Sequence, residues 1–459
     1  MSLDTVLDHL DSDLDGAVAR LFDLIRIESI STDPAYAGAC RQAAEWLSKD
    51  LGDIGFSSRV ADTPRHPIVV AHHDGPGPHV LFYGHYDVQP VDPLDLWTNG
   101  APFEPKILEG AGGAKMLHGR GTADDKGQLM TFVEACRAWK SATGALPCKV
   151  TILLEGEEES GGESLPPFME ANRDELKADI ALICDTGMWD PETPAITTML
   201  RGNVADQITV HAASRDLHSG MYGGAAANPI HVLTRILAGM HDDDGRITIP
   251  GFYDGVPDLP EAIKTQWDGL NFSHERFLGD IGLSVPWGTH GYSALEHVWS
   301  RPTAEVNGIW GGYIGEGFKT VIPADAHAKV SFRLVGDQDP EDIRAKFRAF
   351  IESRLPKDCR VSYQSRGGGH ATVMPTTDPK FEQARQALTE EWGREAAFIG
   401  CGGSIPVVGE LKTRLGMDSL LIGFGLEDDN LHSPNEKYNL SSFSKGARSW
   451  ARVLATIAG

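Results

Sequence analysis

Four short apolar runs, each followed by polar residues that can bind a cation, most constrain the fold of this chain. The runs cover residues 80–83, 150–154, 180–184 and 420–424. Short apolar runs bounded by glycine and acidic residues are typical of buried strands, although buried helix segments can have the same composition. Near-continuous apolar strands predict a mostly parallel sheet covered by helices on both faces. Because ligands gather at the carboxyl ends of strands in an open α/β sheet, the polar residues that follow are predicted to converge.

Length and charge limit the classes of protein that the chain can represent. At 459 residues it is long enough for two domains, each with a sizeable core. The net charge of -24 argues against nucleic acid or an anionic membrane as a partner, because either would repel the chain. The same charge is compatible with binding cations.

The start of the chain and its cysteines bear on localisation. The first fifteen residues are acidic and lack the basic and apolar segments of a signal peptide, and no apolar stretch approaches the length of a membrane span. The six cysteines form no CxxC pair and no dense framework. We therefore expect a cytoplasmic protein with reduced thiols and no membrane partner.

The hydrophobic pattern changes after residue 200. Up to that point apolar runs alternate with helical patterns such as residues 129–142, whose apolar side chains recur at core spacing. Residues 207–212 and 328–334 instead alternate apolar and polar, as strands with one solvated face do. We predict an α/β domain formed by residues 1–200 and 376–459. The inserted residues, 201–375, are predicted to form an α+β domain with an antiparallel sheet.

A glycine-rich stretch, GRGTADDKG at 119–127, carries two adjacent acids directly before a predicted helix. The glycines indicate backbone that folds closely around another group, and the helix dipole favours negative charge at this end. Ordinary helix capping is the alternative, but it accounts for only one of Asp124 and Asp125.

A second acidic stretch, EGEEESGG at 155–162, follows a buried strand. A run of charges is more often a solvated face. Here it adjoins an apolar strand and a Gly-Gly turn, where crowded carboxylates need a proton or a cation. A metal ion would supply the cation, and a carboxylate left over could act as a general base.

Isolated polar residues complete a set of possible ligands. His85 and Asp87 lie two apart at a strand end, so the carboxylate could orient a metal-bound imidazole, although this spacing alone is a weak signal. Taken individually, Asp185 and His432 are explained more simply as a helix cap and a loop residue. Together these carboxylates and imidazoles suit Zn²⁺ or Mn²⁺.

Six motifs, in order over nearly the whole chain, resemble those of the dinuclear metallopeptidase superfamily that includes carnosinase, cytosolic nonspecific dipeptidase, aminoacylase and succinyl-diaminopimelate desuccinylase. They are GHYDVQP (84–90), GRGTADDKG (119–127), EGEEESGG (155–162), DLHSG (216–220), GGSIPV (402–407) and LHSPNEKYN (431–439). The GHYDVQP motif is closest to the dipeptidase branch. The resemblance implies that the first domain is catalytic and that the inserted one is a lid and dimerisation domain.

The resemblance also implies two divalent metal ions per chain, Zn or Mn. Asp124 would bridge them. His85 and Asp185 would complete one site, and Glu159 and His432 the other.

Three further residues match catalytic positions of the superfamily. Glu158 matches the general base, which would take a proton from the metal-bridging water as it attacks the carbonyl. Asp87 matches the acid that orients the metal-bound histidine. His218 would reach the active site of the partner subunit in a homodimer and stabilise the oxyanion; outside its motif it would be explained as a polar loop histidine.

A carboxylate clamp for the substrate is implied by resemblance to the dipeptidases at Arg333, Thr320 and Ser404. The planar fork of arginine suits bidentate binding of a carboxylate. The alternatives are a solvated strand position for the arginine and surface hydroxyls for the other two. The family's substrate-contacting histidine is not clearly in register with His370, which is left unassigned, and residues 109–117 carry extra residues around a Gly-Gly pair.

We therefore expect a metal-dependent peptidase that cleaves dipeptides or short peptides with a free carboxylate. Asp185, where deacylases tend to have glutamate, favours this branch. The main alternative is an N-acyl amino acid deacylase or amidohydrolase on the same scaffold, which would not require a free substrate amine. A non-catalytic dimeric interaction protein is a third hypothesis, but it need not retain Glu158 and a complete ligand set.

Overall fold

The computed structural model describes residues 2–279 and 281–459. These residues form two compact units. The first comprises residues up to Thr198 together with Met374–Ile399 and Glu410–Gly459. The second comprises Met199–Val373 and Gly400–Gly409.

Helices and strands occur in both units. The helices, in chain order, are α1 (Leu3–Ser12), α2 (Leu14–Ile25), α3 (Ala37–Ile54), α4 (Lys126–Thr143), α5 (Leu165–Ala171), α6 (Arg173–Leu176), α7 (Ser219–Tyr222), α8 (Pro229–Ala238), α9 (Glu261–Asp268), α10 (His274–Gly279), α11 (Ala294–Trp299), α12 (Pro340–Glu352), α13 (Pro379–Trp392), α14 (Pro406–Glu410) and α15 (Leu440–Ala458). The strands are β1 (Ser57–Ala61), β2 (Ile68–His73), β3 (His79–His85), β4 (Lys106–Glu109), β5 (Lys115–His118), β6 (Lys149–Glu155), β7 (Ile180–Ile183), β8 (Ala195–Leu200), β9 (Gly202–His211), β10 (Leu217–His218), β11 (Thr303–Gly311), β12 (Val321–Ile322), β13 (Asp325–Leu334), β14 (Arg360–Gly369), β15 (Thr372–Val373), β16 (Ala397–Cys401), β17 (Ser419–Leu421) and β18 (Lys437–Asn439). As far as the described residues extend, none of the helices has both the length and the hydropathy to cross a membrane.

The first unit is built on a sheet with the strand order β1-β2-β6-β3-β7-β17-β8. Its central strands, β6, β3, β7 and β17, run parallel, and antiparallel strands join them on both sides. Because the central strands are buried on both faces, their middle residues are nearly all apolar rather than alternating. The predicted α/β fold around a mainly parallel sheet is confirmed.

Helix α4 forms much of the packing against this sheet. It begins at Lys126, directly after the acidic pair, and ends before Gly144, which has a φ of 82°. Glycine adopts this left-handed conformation without a Cβ clash, so the helix stops there. Phe132 on α4 stacks on Phe82 of β3 with 3.9 Å between ring centroids, and Trp450 of α15 meets both rings edge-on. The helical pattern of residues 129–142 is therefore core, as predicted.

A small antiparallel sheet in the first unit, with the order β18-β5-β4, brings two distant loops together. Lys437 at the start of β18 pairs with His118 at the end of β5. The loop that precedes β18 therefore lies against the turn that follows β5. Residues 109–117 span the end of the β4–β5 hairpin, which turns through a 3₁₀ segment, Ala111–Gly113.

The second unit contains a separate antiparallel sheet with the order β11-β13-β9-β14. Buried and half-buried residues alternate along β9, because one face packs on helices α8 and α12 and the other does not. Ile208, Phe332 and Phe347 lie in the core on the helix-covered face. This sheet confirms the predicted second antiparallel layer.

The two units differ from the predicted domain limits by two residues at each junction and at one longer segment. Residues 400–409, assigned above to the first domain, belong to the second unit. The backbone N–H of Arg201 donates to the carbonyl of Gly403 at 3.1 Å, and its Nε donates to the carbonyl of Gly402 at 2.9 Å. These bonds tie the segment to the residue before β9. Both acceptors are backbone carbonyls, which leave no pattern in the sequence.

Candidate metal centre

The carboxyl ends of three neighbouring parallel strands bring three ligand segments together in the first unit. His85 is the last residue of β3, and Tyr83 on that strand pairs with both β6 and β7. Glu159 lies in the 3₁₀ turn that follows β6, and Asp185 lies two residues beyond β7. This edge of the sheet is where ligands are expected in an open α/β fold.

The other two predicted ligands come from the loops joined by β5 and β18. Asp124 lies in the turn between β5 and α4, and His432 lies in the loop before β18. His432 Nε2 is 2.9 Å from Asp124 Oδ2. Gly121 in this turn has a φ of 85°, and a Cβ at Gly127 would overlap the carbonyl oxygen of Thr122. The glycines are therefore needed for the close turn that presents Asp124.

The five predicted ligands form two groups that share Asp124. Within each group the possible ligand atoms lie within 4.8 Å of one another. In the first, His85 Nε2 is 3.2 Å from Asp124 Oδ1 and 3.9 Å from Asp185 Oδ2. In the second, His432 Nε2 is 3.4 Å from Glu159 Oε2. Imidazole and carboxylate ligands in two adjoining groups suit two divalent ions such as Zn²⁺ or Mn²⁺.

The hydrogen bonds around His85 leave one ring nitrogen for a metal. Its Nδ1 lies 3.1 Å from the carbonyl oxygen of Asp87 and 3.4 Å from the Asp87 carboxylate. A carbonyl can only accept, so Nδ1 donates and Nε2 is directed at Asp124 and Asp185. Asp87 is itself fixed, because its Oδ2 accepts from Ser31 Oγ at 2.6 Å and from the Glu159 backbone N–H at 3.0 Å.

The electrostatics of the two groups favour a cation between them. Burial, with the neighbouring Asp124 charge, raises the pKa of Glu159 to about 8 and that of Asp185 to about 7. The hydrogen bond to Asp124 raises the pKa of His432 to about 9. Burial would raise the pKa of Asp124, but hydrogen bonds from His432 and His85 hold it below its usual value. Crowded, buried carboxylates of this kind are stabilised by protons or by metal ions.

Glu158 lies beside these groups without belonging to either. Burial raises the pKa of Glu158, as do the charges of Asp87 and Asp124. A carboxylate with a raised pKa holds its proton more readily than an ordinary surface glutamate does.

Three residues at the site were missed by the sequence reasoning. Gln89 Nε2 donates to Glu159 Oε2 at 2.7 Å, and Ser31 holds Asp87 as described. Glu436 accepts from the backbone N–H groups of Ala123 and Asp124. Gln89 and Glu436 stand inside the GHYDVQP and LHSPNEKYN motifs, so their place in these motifs could have identified them from the sequence. Ser31 stands outside every motif.

The remaining predicted residues lie in the second unit, where His218 and Thr320 are brought together. His218 on β10 pairs with Val321 on β12, and the N–H of Ser219 donates to the carbonyl of Thr320 at 3.1 Å. His218 is exposed, and its Nδ1 accepts a hydrogen bond of 3.0 Å from the Gly220 N–H. The proton of the neutral ring is then on Nε2, which is free to donate.

Arg333 and Ser404 both adjoin Asn203 in the same unit. Arg333 on β13 pairs with Asn203 on β9, and Asn203 Nδ2 donates to Ser404 Oγ at 3.5 Å. Burial and the charge of Arg333 lower the pKa of Arg201 to about 10. This corner of the unit is therefore cationic and rich in donors. His370 is exposed, and its Nε2 lies 3.8 Å from Asp339 Oδ2.

A family model gives an independent assignment of the chain. The model described as peptidase family M20/M25/M40 matches residues 81–456, a region that contains every predicted site residue. The chain belongs to this family. It is therefore an enzyme of the metallopeptidase class, and the resemblance found in the sequence is confirmed.

Several relatives of this M20 chain have names or solved structures. A Schizosaccharomyces pombe protein named Cys-Gly metallodipeptidase dug1 is 30% identical over 475 residues, covering 100% of this chain and 99% of the relative. The structure of human carnosine dipeptidase 1 is similar with a TM-score of 0.78 and 26% identity, covering 100% of this chain and 99% of that one. The M20 metallo-carboxypeptidase Sso-CP2 from Sulfolobus solfataricus has a TM-score of 0.81 and 26% identity, with coverage of 96% and 99%.

Proposed function

We propose that this M20 enzyme is a dinuclear dipeptidase that hydrolyses the peptide bond of dipeptides or short peptides with a free carboxylate. The observation that carries the proposal is the pair of ligand groups that share Asp124. The names of the relatives, which are dipeptidases and a carboxypeptidase, support the substrate class. Residues 1–200 and 376–459, apart from the 400–409 segment, would form the catalytic domain, and the inserted residues a lid and dimerisation domain.

The donor set fits two divalent ions, Zn or Mn. His85, Asp124 and Asp185 would hold one, and Asp124, Glu159 and His432 the other. When bound, such ions polarise a carbonyl oxygen and lower the pKa of water, so that it can lose a proton and act as a nucleophile at neutral pH. Asp87 keeps the proton on His85 Nδ1, so that Nε2 stays available as a ligand.

Glu158 is proposed as the general base. Its raised pKa lets it accept the proton of the attacking water and then donate a proton to the leaving amine. It lies in the 3₁₀ turn directly before the ligand Glu159, so the turn after β6 would supply both a proton carrier and a ligand. This arrangement separates proton transfer from metal binding at adjacent positions.

The second unit is proposed to bind the substrate. The guanidinium of Arg333 and the hydroxyls of Ser404 and Thr320 would hold the substrate carboxylate, since all three can donate hydrogen bonds. His218 would donate from Nε2 to the oxyanion that forms on the attacked carbonyl. Preorganised donors of this kind contribute about 10²–10³-fold to turnover.

We further propose a homodimer in which His218 serves the partner's active site. Exposed apolar side chains flank the β10–β12 pair along the chain, which is typical of a protein interface. They are Met221, Tyr222, Ile314 and Phe318. His218→Ala and Glu158→Ala homodimers should each be inactive, but coexpression of the two chains should restore activity, because one site of each mixed dimer keeps both residues. No recovery in mixed dimers confirmed by mass would contradict the shared site.

A substrate panel tests the proposed reaction. The metal-loaded enzyme should hydrolyse dipeptides with free amino and carboxyl ends, and chelation should abolish hydrolysis. N-acetyl amino acids and N-carbamoyl amino acids are the matched comparison, because they keep the carboxylate but lack a free amine. Faster hydrolysis of these compounds than of every dipeptide tested would favour the deacylase alternative.

A further inference from the structure

Glu436 is a fully buried carboxylate that the proposed chemistry does not use. It directly precedes β18, whose pairing with β5 brings it against the turn that carries Asp124. The adjoining backbone also participates, since the N–H of Gly119 donates to the carbonyl of Glu436 at 3.2 Å. A buried charge in this position needs a structural explanation.

Both carboxylate oxygens of Glu436 are fully used. Oε2 accepts from Arg120 Nη1 at 2.7 Å and from the Gly121 N–H at 3.0 Å. Oε1 accepts from the Ala123 N–H at 2.9 Å and from the Asp124 N–H at 3.1 Å. The charge of Arg120, which is 2% exposed, compensates that of Glu436 in the interior.

These bonds fix the direction of Asp124. Its backbone N–H is held by Glu436 on one side, while its carboxylate meets His85 at 3.2 Å and His432 at 2.9 Å on the other. Because Asp124 belongs to both ligand groups, a rotation of this turn would disturb both at once. Helix α4, which begins two residues later, limits the turn at its other end.

The residue before Glu436 fixes the second ligand loop. Asn435 Nδ2 donates to the carbonyl of Leu96 at 2.9 Å, and its Oδ1 accepts from the Asn99 N–H at 3.0 Å. This loop also carries His432. Two adjacent side chains therefore anchor the loops that present Asp124 and His432.

We propose that Glu436 is a positioning residue of the metal centre, which holds the Asp124 turn so that one carboxylate faces both ligand groups. The inference rests on the proposed two-metal function. It assigns Glu436 no contact with substrate or metal. Its effect is expected on metal binding first and on turnover only as a consequence.

Glu436→Gln is the direct test. The amide offers one oxygen and one NH₂ group, so two of the four donors would face another donor, and Arg120 would lose its counter-charge. We expect the affinity for Zn²⁺ or Mn²⁺ to fall by about 10–100-fold at both sites, the range seen when supporting residues of metal ligands are changed. The readout is metal content by mass spectrometry and competition with a chelator, with the fold of the metal-free protein followed by circular dichroism.

Glu134→Gln is the matched control. Glu134 is also a buried glutamate with arginine partners, since it accepts from Arg20 Nε at 2.8 Å and from Arg137 Nε at 3.1 Å. It holds α4 rather than the Asp124 turn. This variant should lose stability but keep metal affinity, which separates a general loss of buried ion pairs from positioning of Asp124.

Three outcomes separate the possible failures. If the wild-type protein binds two ions and Glu436→Gln binds them with the same affinity, the positioning role is overturned. A wild-type protein that binds no metal would instead overturn the proposed function. If Glu436→Gln does not fold, Glu436→Asp keeps the charge but shortens the side chain, and two ions bound with wild-type affinity in that variant would also refute the proposal.

Discussion

The two ligand groups share Asp124 but differ in how firmly their histidines are held. The side chain of His85 is 1% exposed and ends a central strand, with Nδ1 bonded to the Asp87 carbonyl and Nε2 3.2 Å from Asp124 Oδ1. The side chain of His432 is 55% exposed and lies in a loop, with a φ of 57°. Positive φ is uncommon for a residue with a Cβ and is held here by the surrounding contacts.

This difference separates a group built on the sheet from one built on loops. Strand ends fixed by a buried sheet hold side chains more accurately than loops do. The first group is therefore expected to bind its ion more tightly than the second. The shared Asp124 means that each ion also affects the other site.

The largest expected effect is on turnover, and it comes from a residue that belongs to neither ligand group. Glu158→Gln should bind two ions and fold normally but lose about 10²–10⁴-fold in kcat, because the amide cannot accept the proton. Glu159→Gln, the matched neighbour, should lose metal from the second group. The measurement is kcat for a dipeptide beside the metal content. If the two variants show the opposite pattern, the roles of the adjacent glutamates are reversed.

Removal of each histidine should give unequal losses of metal. His432→Ala should retain about one ion per chain in the first group, because the donors of that group remain in place. His85→Ala should weaken the first group, which is the tighter one. The variant should therefore lose its ions at chelator concentrations at which the wild-type protein keeps the ion of that group. Equal losses from the two variants, measured by chelator competition, would mean that the exposure of His432 does not weaken its site.

A smaller effect concerns protons released on metal binding. His432 and Glu159, with pKa values of about 9 and about 8, hold protons at pH 7 before metal binds. Both must lose them to become ligands, so the affinity of the second group should rise as the pH increases from 6 to 9. Calorimetry in buffers of different ionisation enthalpy should detect on the order of one to two protons released per chain at pH 7. Metal affinity that does not change over this range would contradict the assignment.

Much of the fold could be predicted because burial on both faces leaves a strong pattern. The runs at 80–83 and 150–154 are the cores of β3 and β6, and the strand order then places their ends at one edge. The run at 420–424 is a strand only as far as Leu421. Its continuation packs closely on Thr186, whose backbone leaves no room for a Cβ at position 423, where the chain has Gly423. A contact of this kind has no pattern in the sequence.

Supporting contacts of the site were harder to predict than its ligands. Four of the five residues of the two groups stand in the ordered motifs, and Asp185 follows the apolar run at 180–184. Ser31 could not be found in this way, because its bond to Asp87 joins residues 56 apart and depends on the folded backbone. Arg201 acts through carbonyl groups of residues 402 and 403, and any sequence has carbonyl groups.

The central claim is that two ions, shared through Asp124, are needed for peptide hydrolysis. Its most direct test is a titration of metal-free protein with Zn²⁺ or Mn²⁺, with the rate of dipeptide hydrolysis measured against ions bound per chain. The rate should remain low while the first group fills, rise as the second fills and reach a plateau at two ions. Full activity without metal, or a plateau at one ion per chain, would contradict the claim.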